Sequence, residues 1–126
     1  MKKIKIQILN TFTSDIIFEY EKRDNTIMDT LMEAIKSGVN LHSADLHKAN
    51  LGYANLSGAN LGYANLYCAY LHNANLSGAN LGYANLYCAD LYDANIRDAK
   101  GLSSIPMACP QDGSFIGWNL ILKNLS

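Results

Sequence analysis

Residues 54–73 read ANLSGANLGYANLYCAYLHN, and residues 74–93 read ANLSGANLGYANLYCADLYD. The two stretches agree at 17 of 20 positions, which indicates duplication of a 20-residue unit. Each unit is built of pentapeptides, and twelve of these follow one another from Val39 to Asp98. Their third residue is always Leu or Ile, their first is Ala or Val, and their second is Asn or Asp except at Tyr70. The chain is therefore a repeat with two nested periods.

A period of five fits neither a helix nor a continuous strand. On a helix, successive leucines would be rotated by about 140° and would scatter around the cylinder. On a strand, an odd period sends alternate leucines to opposite faces. One way to bury every Leu and Ala together is to turn the chain once per pentapeptide, so that four units close one square coil. The repeat therefore predicts a mainly β, four-sided parallel solenoid of about three coils over residues 39–100.

The A(N/D)LXX run resembles the pentapeptide repeat proteins, and the resemblance covers 60 of the 126 residues. It implies a right-handed quadrilateral β-helix, with the third residue and the preceding small residue of each unit pointing inward. The implied core ladder consists of Leu41, Leu46, Leu51, Leu56, Leu61, Leu66, Leu71, Leu76, Leu81, Leu86, Leu91 and Ile96.

The segment before the repeat, residues 1–38, predicts a ββα unit that caps the first coil. Isoleucine alternates with polar residues from Ile4 to Ile8, and Ile16–Tyr20 gives a second strand-like run. Thr26 is a candidate helix cap, and Gly38 a candidate stop. Exposed terminal coils of a solenoid favour unwanted edge pairing, which is the physical reason to expect such a cap.

The segment after the repeat, residues 101–126, predicts a loop and strand tail. Gly101 stands where the next leucine would fall, and the pattern dissolves beyond it. The tail resembles an uncharacterised C-terminal extension of bacterial and phage members of the family. Its apolar residues, among them Phe115 and Trp118, are candidates to cover the last coil or to form a homodimer through that end.

Charge, hydropathy and cysteine count bound the partners and the location. The formal net charge of −1 disfavours direct nucleic-acid binding. No apolar run approaches the length of a membrane span, and lysines interrupt the first residues as they would not in a signal peptide. Three cysteines are an odd count without zinc-site spacing. We therefore expect a reduced, cytoplasmic protein without membrane association.

Stacking of successive coils predicts columns of identical outward side chains. Tyr63 and Tyr83 share one column, and Tyr67 and Tyr87 share another. Tyrosine is enriched at protein interfaces, so these four residues are the candidate interaction surface. The duplication alone would also produce the columns, and neighbouring rings stabilise a stack by themselves.

The sequence predicts no catalytic residue, no cofactor site and no metal site. The three histidines fall on different faces, whereas a metal site needs three or four converging ligands. Cys68 and Cys88 lie one coil apart with parallel Cβ directions, which favours two thiols over a disulfide. Cys109 has no evident partner base. No P-loop, dinucleotide-binding fingerprint or Ser/His/Asp arrangement is present.

These observations favour a non-enzymatic structural or protein-interaction module with an unknown protein partner. The resemblance offers one specific alternative, a DNA-mimicking protein that binds the topoisomerase gyrase. Such a mimic needs a long acidic rod. The pentapeptides carry four Asp against one Lys and one Arg, a net charge of −2, whereas one turn of duplex DNA carries about 20 charges.

Overall fold

The computed structural model describes residues 2–102, and the chain begins with a two-stranded antiparallel hairpin. Strand β1 (Lys3–Leu9) pairs with strand β2 (Ile16–Arg23), and the register shifts between Ile8 and Leu9. Ile8 is the one strand residue that is buried. Ile17 and Phe18 of β2 are half-buried against the same core, so the hairpin packs on it through these three residues.

Helix α1 (Ile27–Lys36) follows the hairpin and begins at a capping box. The Thr26 side chain accepts a hydrogen bond from the Asp29 N–H, and the Asp29 carboxylate accepts one from the Thr26 N–H. Two of the four N–H groups that a helix start leaves unpaired are thereby satisfied. Leu31 and Ala34 are fully buried, so the helix packs its apolar stripe onto the core.

Beyond the helix the backbone forms successive coils of four pentapeptides each. Each bridge in this region is parallel and joins a second-position residue to its equivalent on the next coil, from Asp45↔Asn65 to Asn80↔Lys100. Leu61 N–H donates to Asn80 O at 2.8 Å, and Asn80 N–H donates to Ala59 O at 2.9 Å. The longer period of the sequence is thus the hydrogen-bonding period of the backbone.

A tight turn closes every pentapeptide. Ala64 N–H donates to Leu61 O at 3.1 Å, and the fifth residue of the unit, Tyr63, has φ of 57°. An i to i+3 bond with positive φ at the third turn residue is the geometry of a type II turn. The second-position side chain supports the turn, since Asn60 Oδ1 accepts the Gly62 N–H at 3.1 Å. An equivalent hydrogen bond to the second-position side chain recurs in most pentapeptides. In one pentapeptide the second residue is Tyr70, which has no side-chain amide to accept this bond.

The core lies inside the coils. All twelve side chains of the leucine and isoleucine ladder are buried, each with 5% exposure or less. Several of the alanines that open the units, such as Ala64 and Ala74, fill the space between them at 1% exposure or less. Because the third residue of every unit is buried in this way, the interior of the described coils is filled with side chains and leaves no channel.

The hairpin is joined to the first coil by backbone hydrogen bonds. Asp45 N–H donates to Leu9 O at 2.7 Å, and Thr11 N–H donates to Ser43 O at 2.8 Å. Asn10 and Ala44 form an antiparallel bridge, in contrast to the parallel bridges between coils. The hairpin end therefore occupies part of the open edge that the first coil presents.

No helix within residues 2–102 is long and apolar enough to cross a membrane. The predicted tail, apart from Gly101 and Leu102, lies outside the described residues, as does Cys109.

Candidate functional site

The first aromatic column is built on the predicted pair Tyr63 and Tyr83. Both residues are at the fifth position of their units, both have φ of 57°, and the turns aim their rings in the same direction. The ring centroids are 4.9 Å apart with an interplanar angle of 19°, which is a stacked pair. The side chains are 44% and 65% exposed, so both rings of the stack are accessible to solvent.

Two further rings extend this column, and the sequence pattern indicated neither. Phe12, in the loop between β1 and β2, meets Tyr63 edge-on at 6.5 Å and is 69% exposed. His42 lies 5.3 Å from the same ring, tilted by 47°. We define Phe12, His42, Tyr63 and Tyr83 as the first aromatic column. Phe12 lies outside the repeat, so the register of the coils carried no signal for it.

The second aromatic column contains the predicted pair Tyr67 and Tyr87, at the fourth position of their units. Their rings are 5.9 Å apart and almost parallel, with an interplanar angle of 5°. Tyr67 is 37% exposed and Tyr87 is half-buried. Hydrogen bonding to Cys68 raises the pKa of the Tyr67 phenol above its usual value, and the nearby thiols Cys68 and Cys88 add to the shift.

A third group of exposed aromatic side chains was missed by sequence reasoning. Tyr53, Tyr70 and Tyr92 are 75%, 54% and 55% exposed, and the His72 ring meets Tyr53 edge-on at 5.5 Å. The equivalent positions on the neighbouring coils hold other residue types, so a search for identical residues on successive coils does not detect these three tyrosines. The sequence held one signal of this group in Tyr70, which is the only second-position residue of the twelve pentapeptides that is neither Asn nor Asp.

A column of small residues provides the contrast. Ser57 and Ser77 lie at equivalent fourth positions, and Gly58 and Gly78 follow them with φ of 69° and 68°. The Ser57 hydroxyl donates to its own turn amide, Asn55 Oδ1, at 2.8 Å. Aromatic side chains are therefore concentrated on part of the solenoid perimeter and do not encircle it.

The polar groups near the columns serve local structure. His47 Nδ1 lies 2.6 Å from Asp45 Oδ1, which also accepts from Asn65 Nδ2 at 3.2 Å. His42 Nδ1 lies 2.9 Å from Ser43 Oγ. The three histidines have three different neighbourhoods. Within residues 2–102, no group of three or more His, Cys, Asp or Glu side chains is placed to hold a metal ion.

The repeat region matches a known protein family. The sequence pattern described as pentapeptide repeats matches residues 33–62 and 64–100 in eight copies, which is more than half of the chain. The chain belongs to the pentapeptide repeat family, whose repeats form a mainly β, right-handed β-helix. Proteins of this family are in general non-enzymatic structural modules. The predicted family is thereby confirmed.

Several solved structures are similar to the chain. The pentapeptide repeat protein Rfr23 from the cyanobacterium Cyanothece 51142 is 35% identical, over 51% of this chain and 47% of that one, with a TM-score of 0.41. The protein alr5209 from Nostoc Pcc 7120 is 31% identical over 60% and 74%, with a TM-score of 0.27. A pentapeptide repeat protein from the Arabidopsis thaliana thylakoid lumen is 28% identical over 52% of each chain, with a TM-score of 0.22. The chain thus spans about half the length of the first of these. None of the curated proteins compared matches it.

Proposed function

We propose that the protein is a non-enzymatic interaction module whose aromatic columns bind a protein partner. The observation that supports this most directly is the stacking of exposed tyrosines on successive coils, Tyr63 on Tyr83 and Tyr67 on Tyr87. Tyrosine offers a large rigid contact surface with a hydroxyl that hydrogen-bonds, which is why it is enriched at interfaces. A solenoid fixes these rings before the partner arrives, so little side-chain entropy is lost on binding.

Backbone energetics at residues 63 and 83 do not favour tyrosine over glycine. The left-handed conformation costs a residue with a side chain roughly 1–2 kcal/mol, and glycine avoids that cost. A stacked or edge-to-face ring pair contributes about 0.5–1.5 kcal/mol. The contact between Tyr63 and Tyr83 offsets part of this backbone cost, and the contacts of Tyr63 with Phe12 and His42 add to the offset. Gly58 and Gly78 occupy the same position of other units without that cost. The turn conformation therefore does not account for tyrosine at residues 63 and 83.

The chemistry of the columns defines the kind of partner. The first aromatic column contains no acidic or basic side chain other than His42. A neutral aromatic surface with phenol hydroxyls suits a partner surface that is apolar with hydrogen-bonding groups at its rim. A strongly acidic partner would find no lysine or arginine in this column.

The test is capture of partners by immobilised protein from a lysate of the organism that encodes it. Three forms are compared: the native chain, Tyr63→Asn/Tyr83→Asn, and the matched control Ser57→Asn/Ser77→Asn on the small-residue column. Asn tolerates the left-handed backbone, so the fold is expected to persist in the first variant. We expect one protein that the native chain and the control retain and the tyrosine variant loses. Equal retention by all three forms would refute the surface assignment.

Gyrase binding by DNA mimicry is the alternative proposal. This alternative requires that the shape of the solenoid matters more than its charge for binding to gyrase, because the pentapeptides have a net charge of only −2. A supercoiling assay with purified gyrase, with and without a quinolone, separates the two proposals. Inhibition or protection at micromolar protein would favour mimicry over the aromatic columns, and no effect would remove the alternative.

The finer architecture is also a proposal. We infer a ββα cap over residues 1–38, a solenoid of about three coils over 39–100 and a tail over 101–126. Support comes from the hairpin bonds to the first coil and from bridges that continue to Lys100. At a strand spacing of about 4.8 Å, three coils would make a stack roughly 15 Å tall.

We further propose a cytoplasmic location in a bacterial cell and association of two chains through a terminal coil or the tail. The two cysteines of the described part of the chain are both in the reduced form, which suits a reducing compartment. A coil edge that is not fully covered would present backbone groups to a second copy, which is the physical basis of this proposal. Light scattering at high protein concentration tests it, and a monomer alone would contradict it.

A further inference from the structure

The second aromatic column has two cysteines beside it, at the fifth position of successive coils. Cys68 has φ of 54° and Cys88 has φ of 62°, so the two backbones are nearly the same. The coils are in register here, because Cys68 N–H donates to Tyr87 O at 2.9 Å. Equivalent residues on neighbouring parallel strands point their Cα–Cβ bonds in the same direction, about 4.7–4.9 Å apart.

This spacing does not suit a disulfide. A disulfide needs Cβ atoms about 3.5–4.5 Å apart and sulfurs about 2.05 Å apart, and the Cβ directions must converge. Two metal–sulfur bonds of about 2.3 Å, placed in a line, span about 4.6 Å. The coil spacing therefore fits one cation between two sulfurs better than it fits a direct sulfur–sulfur bond.

The surroundings of the two thiols favour binding of a soft cation. Both cysteines are half-buried, and the stacked rings of Tyr67 and Tyr87 precede them on the same coils.

We propose that Cys68 and Cys88 together bind one soft monovalent cation, of the Cu(I) or Ag(I) class, in a two-coordinate site that joins neighbouring coils. Thiolates select soft cations such as Cu(I) over harder ones. Each thiol gives its proton to solvent as its sulfur bonds to the cation, and no electron is transferred. No third His, Cys, Asp or Glu joins the pair within residues 2–102, which disfavours Zn²⁺ and its four-coordinate preference.

The experiment titrates the reduced full-length protein with Cu(I) in the presence of a competing chelator, and repeats the titration with Ag(I). We expect one cation per chain. Cys68→Ser and Cys88→Ser should each weaken binding by more than the about 10–100-fold that loss of a supporting contact near a metal costs. The matched control is Cys109→Ser, which removes the third cysteine and should bind as the native chain does. Circular dichroism checks that each variant keeps its fold.

Alkylation of the native chain gives a readout that needs no variant. Ag(I) should protect Cys68 and Cys88 from iodoacetamide while Cys109 reacts at its metal-free rate. Equal protection of Cys109, or unchanged alkylation of Cys68, would overturn the proposal. Unweakened Cu(I) binding by Cys68→Ser would do the same. Ready formation of a Cys68–Cys88 disulfide in air would show that the sulfurs approach closely, and it would refute the spacing argument.

Discussion

The imidazole of His72 lies directly over Gly52 on the neighbouring coil. A Cβ atom added to Gly52 would meet His72 Cε1 at 2.5 Å, and the same imidazole packs edge-on against Tyr53. A similar fit recurs nearby, where a Cβ on Gly62 would lie 3.2 Å from His42 Cδ2. Glycine at the fourth position of these units thus leaves room for an aromatic ring from the adjacent coil.

Gly52→Ala should destabilise the native chain by about 1 kcal/mol, at the low end for overpacking because the imidazole is free to move aside. Gly52 is not in the left-handed region, so alanine suits its backbone. In a His72→Ala background the same substitution should instead stabilise by about 0.4–1 kcal/mol, since alanine reduces the entropy of the unfolded chain. Urea unfolding of the four proteins measures the cycle. The same effect in both backgrounds would show that His72 is not the obstacle.

Tyr63→Asn should lower the free energy of unfolding by about 3 kcal/mol or less, because relief of backbone strain offsets part of the lost ring contacts. The variant loses ring contacts with Phe12, His42 and Tyr83, each contributing about 0.5–1.5 kcal/mol. It also gains a residue that tolerates the left-handed backbone at φ of 57°. Chemical unfolding measures the balance. A loss above about 3 kcal/mol would mean that the column is chiefly a stability device.

Leu66→Ala should destabilise the chain by about 2–5 kcal/mol, because it removes a fully buried member of the ladder and leaves a cavity between packed coils. Tyr67→Ala, one residue away and 37% exposed, is the matched comparison and should cost less. Thermal unfolding, monitored by circular dichroism, shows which of the two variants has the lower melting temperature. If Tyr67→Ala melted at the lower temperature, the assignment of the core would be wrong.

Asp29 should make the stability of the N-terminal unit depend on pH. Hydrogen bonding to the Thr26 side chain, helped by Lys22 at 3.2 Å, lowers the pKa of the Asp29 carboxyl from its ordinary value of 3.8. The folded pKa lies below the unfolded one, so the stabilisation is complete above pH 3.8 and is lost as the pH falls through the folded value.

The measurement is the melting temperature of the native chain and of Asp29→Asn across acidic and neutral pH. Their difference should be constant near neutrality and should shrink toward zero in acid. A difference that persists unchanged at the lowest pH would contradict the ion-pair and cap assignment.

The repeat made most of this fold predictable, because one residue in five had to be buried and the chain had to turn to bury it. The burial of the ladder from Leu41 to Ile96 and the helix start at Thr26 were both predictable, because each depends on a pattern that spans only a few residues. Phe12 did not follow, since its contact with Tyr63 depends on how the hairpin docks on the first coil. The fit of His72 over Gly52 was not predicted either, because it joins two different residue types on neighbouring coils. The search for identical residues 20 positions apart does not detect such a pair.

Site-specific crosslinking in the native host tests the aromatic surface most directly. A photoreactive phenylalanine analogue is placed at Tyr83, which is 65% exposed, and in a second protein at Ser77 on the small-residue column. We expect a discrete crosslinked protein from position 83 and none from position 77. The same product from both positions, or a product from position 77 alone, would contradict it.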